Sequence, residues 1–417
     1  MKAQAAYDVI VVGAGLAGLF AGALSARGGA RTLVIARGQG GTHVGAGCLD
    51  VLSYAAAPKA AARRVVDNPA EAVKALPGEH PLSRVGALAL CAAVDEFLKI
   101  NAEAGCQWVG QLERNLRLPS AAGAIRPTCL APRSYAAGDL SRSDGLVLAG
   151  IAGFRDFYAG LAAANLKALG FAARAVTLEL PDAPLQRDAF ATDLARRLDV
   201  PAYRGQVAKA WQAQLKGATR LGLPAVVGLR FGPEAWRDLD EKLGLEVFEI
   251  PVLPPSVPGM RLYTLLRSVI QAARGSVLLG PHVTGWVEDG RVLGVVSETE
   301  NGPRGYAAPR VILATGGFRH GGLEAPARGQ VQETVFGLPV ATAREWFSPL
   351  YWHEHPYARF GLRVNATMQP LDRAGAVVYP NVQAVGGVLA GADRNGEGSR
   401  EGIDLATAWQ AVRGSQG

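Results

Sequence analysis

Cysteine is scarce in this chain, and its spacing argues against the common metal sites. The 417 residues include four cysteines, at positions 48, 91, 106 and 129, and no two of them form a C-x-x-C pair. An iron–sulfur cluster or a structural zinc site within the chain is therefore not expected. Four scattered thiols in a large chain are typical of reduced cytoplasmic cysteines rather than of a disulfide framework.

Long apolar runs and clustered basic charge are also missing. No apolar run reaches the roughly 18 residues that a membrane-spanning helix needs, so any membrane attachment is expected to come through a partner. The first predicted strand begins near residue 8, which leaves no room for a signal peptide. The 43 basic and 36 acidic residues give a net charge of +7 without a basic stripe, so nucleic-acid binding is not expected.

What the chain does have is a nucleotide-binding pattern close to its first residue. Residues 8–36 predict a buried strand at 8–12, an Ala-rich helix at 16–25 and a second buried strand at 32–36. Gly13, Gly15 and Gly18 follow the first strand at G-x-G-x-x-G spacing, for a tight turn, the approach of a pyrophosphate, and close helix–strand packing. The helix N-terminus then favours a phosphate. The pattern predicts an α/β, Rossmann-like dinucleotide-binding fold.

An acidic residue that usually binds the adenosine ribose is absent from the end of the second strand. Ala36, Arg37 and Gly38 stand there instead. Three alternatives stay open: the ribose is bound differently, an arginine meets a phosphate, or the ligand carries no adenosine.

The loop after the second strand, residues 38–54, is dense in glycine, which lets a flat ligand lie against bare backbone. His43 is the only titratable ring in this loop. It is either a locally hydrogen-bonded histidine or a proton-transfer group beside a redox ring.

Three later segments are predicted to complete a cofactor site. Residues 311–317 predict a buried strand that ends in small residues, and residues 382–387 predict another strand with a glycine pair after it. A helix is predicted to start near Gly402. Its N-terminus, pointed at the pyrimidine edge of a flavin, would stabilise the anionic reduced ring.

The predicted cofactor-binding residues come from all five of these segments. They are Gly13, Ala14, Gly15, Leu16, Ala17, Gly18, Arg37, Gly38, Gly41, Thr42, His43, Gly45, Gly47, Thr315, Gly316, Gly317, Gly386, Gly387, Gly402 and Ile403.

The order of predicted elements indicates a flavin-binding domain with two insertions. Strands and helices alternate from about 82 to 255, with one buried strand predicted at 224–230. Four prolines between 248 and 262 predict an extended, non-helical path back. The flavin-binding domain is predicted to comprise residues 1–81, 260–320 and 361–417, an inserted α/β lobe residues 82–259, and a second insertion residues 321–360.

Several segments together resemble the family of the B subunit of anaerobic glycerol-3-phosphate dehydrogenase. They are VVGAGLAGL (11–19), RGQGGTHVGAGCLDVLS (37–53), HP with a following serine (80–83), LPPSVPGMRL (253–262), ATGGF with HGGL (314–323), TAREW (342–346) and AVGGVLAGAD (384–393). The segments at 37–53 and 253–262 are diagnostic, because generic dinucleotide motifs do not include them. That family also has Arg-Gly-Gln in place of the acidic residue.

The resemblance implies a flavoprotein subunit of a three-subunit enzyme that oxidises sn-glycerol 3-phosphate to dihydroxyacetone phosphate and passes electrons to quinone. It implies two partners, a flavin-bearing A subunit and an iron–sulfur C subunit that links the complex to the membrane. The chain is then cytoplasmic and peripheral on the inner face of the cell membrane through a partner subunit. The resemblance implies FMN as the cofactor, whereas the motif layout would also house FAD.

Residue type and position suggest how the chain itself could react. His43 is the candidate base that removes the hydroxyl proton, and Arg261, Arg344 or Arg359 would hold the phosphate. His353 and His355 have no evident third ligand, so no metal site is predicted. The alternative is a non-catalytic flavin-binding subunit that relays electrons or serves as a scaffold.

Overall fold

The computed structural model describes residues 3–55, 63–182, 190–300, 302–327, 330–351 and 353–414. The chain divides into two compact units. The first unit comprises Met1–Gly41, Asp50–Ile100 and Tyr263–Gly417, and the second comprises Thr42–Leu49 and Asn101–Leu262.

The elements are numbered in chain order. The helices are α1 (Leu16–Arg27), α2 (Pro69–Lys74), α3 (Pro81–Glu103), α4 (Ala159–Ala168), α5 (Ala191–Leu198), α6 (Pro201–Trp211), α7 (Gly232–Leu243), α8 (Val257–Ala272) and α9 (Arg400–Arg413). The strands are β1 (Ala3–Ala6), β2 (Val9–Val12), β3 (Thr32–Ala36), β4 (Trp108–Gly110), β5 (Leu116–Pro119), β6 (Ile125–Thr128), β7 (Leu130–Pro132), β8 (Leu146–Ile151), β9 (Ala173–Leu178), β10 (Arg220–Pro224), β11 (Glu246–Ile250), β12 (Ser276–Leu279), β13 (Val283–Glu288), β14 (Arg291–Ser297), β15 (Arg304–Ala307), β16 (Val311–Leu313), β17 (Leu323–Glu324), β18 (Gln332–Glu333), β19 (Val340–Ala341), β20 (Gly361–Leu362) and β21 (Val382–Ala384).

A parallel sheet of five strands, in the order β12-β3-β2-β16-β21, forms the centre of the first unit. Every residue of β2, β3, β16 and β21 is buried, as expected for strands covered on both faces. Helix α1 packs on this sheet, and the ring of Phe20 meets that of Phe97 in α3 at a centroid distance of 6.1 Å. The predicted strand–helix–strand unit is therefore present.

A second sheet of the first unit has the order β1-β15-β14-β13. Strands β13 and β14 form an antiparallel hairpin closed by Asp289 and Gly290, whose φ angles are 48° and 72°. An Asp-Gly pair between two strands predicts a hairpin turn from sequence, and positive φ at both positions confirms it, because such angles match the twist of a hairpin. The pair Asn301–Gly302 predicts a second hairpin turn, and Asn301 lies outside the described residues. Strand β1 was not predicted.

The second unit contains a parallel sheet of four strands in the order β11-β10-β8-β9. Its core includes the fully buried side chains of Trp211 and Phe248, packed among residues of α4 to α7. The two units thus share the α/β class that the sequence predicts. Within the described residues, no helix combines the length and the apolar character that spanning a bilayer requires.

Two local predictions are wrong. A strand was predicted at 224–230, but only Pro224 belongs to β10, because the following backbone turns to meet Glu249, whose carboxylate accepts the Val227 N–H at 3.0 Å. Residues 257–262 were predicted to be non-helical, but α8 begins at Val257. Pro258 is tolerated in the first turn, where its missing N–H is not needed.

The boundaries of the compact units differ from the predicted domain boundaries. Most of helix α3 belongs to the first unit, so the larger segment of the second unit starts at Asn101 rather than at residue 82. The short segment Thr42–Leu49 also belongs to the second unit. The five predicted domain segments stay a prediction.

Candidate functional site

The loops that carry the predicted glycine motifs of the first unit meet at one edge of its parallel sheet. Strands β2, β3, β16 and β21 are parallel in register, so the loops that follow them emerge at the same edge. The carboxyl edge of an open parallel sheet is where such folds bind ligands.

Helix α1 presents an uncapped N-terminus at this edge. In the described part of the chain no side chain caps the helix, and its first turn carries no acidic residue. A Cβ atom built on Gly15, the residue before the helix, meets no described atom within 4 Å. Ala14, Leu16 and Ala17 have buried side chains, so the backbone is what this turn offers to a ligand. The arrangement fits a diphosphate.

Gly13 and Gly18, unlike Gly15, are required for close packing of the backbone. Gly13 has a φ of 120°, and a Cβ atom there would overlap the carbonyl oxygen of Ala314. A Cβ atom on Gly18 would overlap the carbonyl oxygen of Gly13. These two glycines therefore allow α1, β2 and β16 to approach each other closely.

The loops after β16 and β21 touch and leave one hydroxyl unused. A Cβ atom on Gly317 would lie 3.1 Å from the carbonyl oxygen of Gly387, and one on Gly387 would lie 3.4 Å from Cα of Gly316. The buried Thr315 Oγ1 has no hydrogen-bond partner among the described residues. This oxygen lies against Gly322, where a Cβ atom would come within 2.6 Å of it, and an orphaned buried hydroxyl fits a ligand that brings its own acceptor.

Arg37 occupies the position of the missing acidic residue and reaches the loop after β16. Its Nη1 atom would lie 3.4 Å from a Cβ atom on Gly321. Gly38 faces open space, since a Cβ atom there meets no described atom within 4 Å. A cation rather than a carboxylate therefore stands at this corner.

His320 was missed by the sequence analysis, although it lies in the HGGL segment that was noted. Its imidazole packs between two glycines of the cradle: Nε2 would lie 2.9 Å from a Cβ atom on Gly41, and its own Cβ atom 2.8 Å from one on Gly316. Partial burial lowers the pKa of His320, and the charges of Arg394, Arg319 and Arg400 lower it further. The ring is therefore neutral at neutral pH.

The N-terminal turn of α9 and the glycine pair after β21 are joined by an ion pair. Arg394 lies against Gly387 and pairs with Asp404, at 2.5 Å. Burial raises the pKa of Asp404, and Arg394 opposes this effect. Helix α9 begins at Arg400, two residues before the predicted start. The predicted cofactor residues Gly402 and Ile403 pack inside the unit, with a Cβ atom on Gly402 only 2.8 Å from Cα of Val51.

The predicted residues Thr42, His43, Gly45 and Gly47 belong to the second unit, where they pack on the start of α8. A Cβ atom on Gly259 would overlap the Thr42 carbonyl oxygen and lie 2.8 Å from that of Gly45. Ser256 Oγ donates a hydrogen bond to the Gly45 oxygen at 2.5 Å. The two diagnostic segments of the sequence, 37–53 and 253–262, are therefore packed together.

His43 lies in a short 3₁₀ turn, Gly41–Val44, and its side chain is half-buried. Partial burial lowers the pKa of His43 from its ordinary value. At neutral pH the imidazole is therefore uncharged and able to accept a proton.

The three predicted phosphate-binding arginines have different surroundings. Arg261 is enclosed in the second unit, where it pairs with Glu249 at 2.7 Å and donates to the carbonyl oxygens of Val227 and Gly228. Arg344 is exposed in the first unit. Arg359, also in the first unit, pairs with Glu397 at 2.8 Å.

The chain matches known proteins over nearly its whole length. Residues 8–402 match a family model described as an FAD binding domain. A probable B subunit of anaerobic glycerol-3-phosphate dehydrogenase from Halobacterium salinarum (strain ATCC 29341 / DSM 671 / R1) is 32% identical over 420 residues, which cover 97% of this chain and 96% of the relative. The B subunits of the same enzyme from Pectobacterium carotovorum subsp. carotovorum (strain PC1) and Yersinia pseudotuberculosis serotype I (strain IP32953) are each 31% identical, with 96% of both chains covered.

The family match bears on both the cofactor and the fold. An FAD binding domain over residues 8–402 supports a flavin cofactor, specifically FAD, and gives no support to the FMN that the resemblance implied. The α/β fold class, with parallel sheets, is the one predicted. The chain therefore belongs to the family of the B subunit of anaerobic glycerol-3-phosphate dehydrogenase, with an FAD binding domain.

Proposed function

We propose that this chain is the flavoprotein B subunit of an anaerobic glycerol-3-phosphate dehydrogenase and that it binds FAD. The complex oxidises sn-glycerol 3-phosphate to dihydroxyacetone phosphate and passes the electrons to quinone. Its partners are a flavin-bearing A subunit and an iron–sulfur C subunit, and the chain is cytoplasmic and peripheral on the inner face of the membrane through a partner subunit.

One observation carries the cofactor part of this proposal. The uncapped N-terminus of α1 lies where the glycine loops meet, with open space at Gly15 and an orphaned hydroxyl at Thr315. Backbone N–H groups, a helix dipole and a free hydroxyl donor are what a diphosphate needs. The proposed cofactor residues are those predicted from the sequence, with Gly402 and Ile403 supporting the start of α9 by packing.

The proposed oxidation requires a base for the hydroxyl proton and a binding site for the phosphate group. Oxidation of a secondary alcohol removes the hydroxyl proton and the hydrogen on carbon, and the bound flavin supplies the acceptor for the hydride. His43 is the proposed base, because its lowered pKa keeps the imidazole neutral. Arg359 and Arg344 stay candidates for the phosphate. Arg261 is no longer a candidate phosphate ligand, because its guanidinium group already donates hydrogen bonds to acceptors of the protein.

We expect the rate of flavin reduction by glycerol 3-phosphate to rise with pH and to be flat from about pH 7. The reason is that a base whose pKa is lowered from the ordinary value of about 6.5 is mostly deprotonated there. His43→Gln is expected to slow the reduction by about 100- to 10,000-fold and to remove the pH dependence. Anaerobic stopped-flow absorbance measures both effects. His282→Gln, directly before β13, is the matched control. An unchanged rate in His43→Gln would exclude His43 as the base.

The direct test of the function uses the isolated subunit. Mass spectrometry of the released cofactor is expected to identify FAD, and glycerol 3-phosphate added without oxygen is expected to bleach the flavin absorbance. A protein without any flavin would overturn the proposal.

The alternative is a subunit that binds flavin and relays electrons without binding substrate. It is favoured by the enclosure of Arg261, one of the three candidate phosphate ligands, among protein acceptors. In that case glycerol 3-phosphate leaves the flavin of the isolated subunit oxidised, and activity appears only when the partner subunits are added.

A further inference from the structure

Residues that are not among the proposed cofactor ligands, from three segments of the sequence, line one cavity in the first unit. They are the HP segment at 80–83, the TAREW segment at 342–346 and the end of the glycine segment at 384–393, which contribute Pro81, Thr342 and Gly391. The cavity has a volume of about 320 Å³. Segments so far apart in the sequence meet here because α3, β20 and the loop after β21 pack together.

The charge of the cavity is predominantly positive. Arg84, Arg359 and Arg363 line it together with one carboxylate, that of Glu79. Within the described ranges, neither Arg84 nor Arg363 lies within ion-pair distance of a carboxylate. Arg363 donates to the carbonyl oxygen of Asp372 at 2.5 Å, which satisfies one N–H without neutralising the charge. Two guanidinium groups therefore remain available to an anion.

The side chain of Arg359 is oriented by Glu397. Its Nη1 donates to Glu397 Oε1 at 2.8 Å and to the Gly391 carbonyl oxygen at 3.1 Å. Its Nη2 lies 3.8 Å from a carboxylate oxygen of Glu354, which is a weaker contact. The other groups of the guanidinium can serve a ligand.

Glu397 is itself fixed by His80. The His80 side chain is 1% exposed, its Nδ1 accepts the Leu82 N–H at 3.1 Å, and its Nε2 therefore carries the proton that is donated to Glu397 Oε2 at 3.1 Å. Burial by itself raises the pKa of Glu397, but the hydrogen bond from His80 and the charge of Arg359 lower it below the ordinary value. The carboxylate stays ionised and orients Arg359.

The walls and the size of the cavity restrict its ligand. Pro81, Phe360, Leu362 and Leu389 contribute apolar walls. Small-molecule pockets have volumes of about 300–1,000 Å³, so this cavity is at the lower end of the range and is too small for a dinucleotide. It suits a metabolite of a few carbon atoms.

We propose that this cavity binds a small phosphate monoester whose phosphate group meets Arg84, Arg359 and Arg363. Guanidinium groups match the geometry of phosphate oxygens and stay charged at any physiological pH. The inference deepens the proposed function, on which it rests for the identity of the ester, because it assigns the glycerol 3-phosphate of that function to this cavity.

The test is calorimetric titration of the FAD-loaded chain with sn-glycerol 3-phosphate and, separately, with inorganic phosphate and glycerol. We expect glycerol 3-phosphate to bind, phosphate to bind more weakly, and glycerol to give no heat. Arg84→Gln and Arg363→Gln are each expected to weaken the binding of glycerol 3-phosphate by about 10- to 100-fold, as a charged hydrogen bond is lost. Arg291→Gln, at an exposed position in the other sheet of this unit, is the control.

The outcomes separate this inference from the function on which it rests. If substrate reduces the flavin but Arg84→Gln and Arg363→Gln bind it like the unmodified chain, the cavity assignment is overturned and the dehydrogenase function stands. If binding depends on both arginines but the flavin stays oxidised, the cavity assignment stands and the catalytic function is overturned. Binding of inorganic phosphate alone would overturn the assignment of an ester.

Discussion

Replacing Gly15 by valine is expected to weaken FAD binding strongly and to leave the fold intact. The φ and ψ angles of Gly15 are −76° and −176°, which any residue adopts, and a Cβ atom there meets no described atom within 4 Å. The new side chain would fill the space in front of the N-terminus of α1. Loss of one or two hydrogen bonds to a charged phosphate, each about 1.5–3 kcal/mol, weakens binding by about 10- to 10,000-fold.

The matched variant is Gly18→Ala, which is expected to act on stability instead. A Cβ atom there overlaps the carbonyl oxygen of Gly13, so the backbone of the turn must shift. FAD content after desalting and the melting temperature of the cofactor-free proteins distinguish the two effects, because a bound cofactor by itself raises the melting temperature. A Gly15→Val protein that retains stoichiometric FAD would contradict the assignment of this turn.

Replacing Arg261 by methionine is expected to destabilise the second unit by about 3–5 kcal/mol. The Glu249 side chain is fully buried, and its carboxylate has Ser134 and the Val227 N–H as further donors but, in the described part of the chain, no second cation in contact. Removing Arg261 leaves a buried charge without its counter-ion and also leaves two carbonyl oxygens without donors. That combination is among the most costly single changes that a core can undergo.

Urea unfolding of the chain measures this effect, with Arg261→Met, Glu249→Gln and the double variant compared. We expect the double variant to lose less than the sum of the two single losses, because removing both charges leaves neither unpaired. The affinity for glycerol 3-phosphate is expected to stay unchanged in Arg261→Met. If instead stability is retained and affinity falls, Arg261 binds the phosphate as the sequence analysis suggested.

The elements that could be predicted are those whose pattern lies within a few neighbouring residues. Strand β3 has the predicted bounds, and α1 starts at the predicted Leu16, because buried strands and an Ala-rich helix have their own periodicity. The Asp289–Gly290 turn was predictable for the same reason, since positive φ at both residues is a local requirement.

The exposure of a charged residue could not be predicted in this way. Arg261 follows a proline-rich segment and was one of three candidates to hold the phosphate, but Glu249 and two carbonyl oxygens enclose it. The same carboxylate explains why 225–230 is a loop, because it takes a backbone N–H that a strand would have paired with its neighbour. A buried charge needs a partner, and nothing in the local pattern tells which distant residue supplies it.

The sequence by itself determined the α/β class, the strand–helix–strand unit at 8–36 and the glycine turn that fits a phosphate, because these depend on contacts between near neighbours. Only the tertiary structure decided that Arg261 is a structural ion pair, that His320 packs between Gly41 and Gly316, and that Arg84, Arg359 and Arg363 line one cavity. The physical reason is that these groups lie tens to hundreds of residues apart along the chain. The packing of whole helices and strands determines which of these groups come into contact, and no single segment of the sequence predicts that packing.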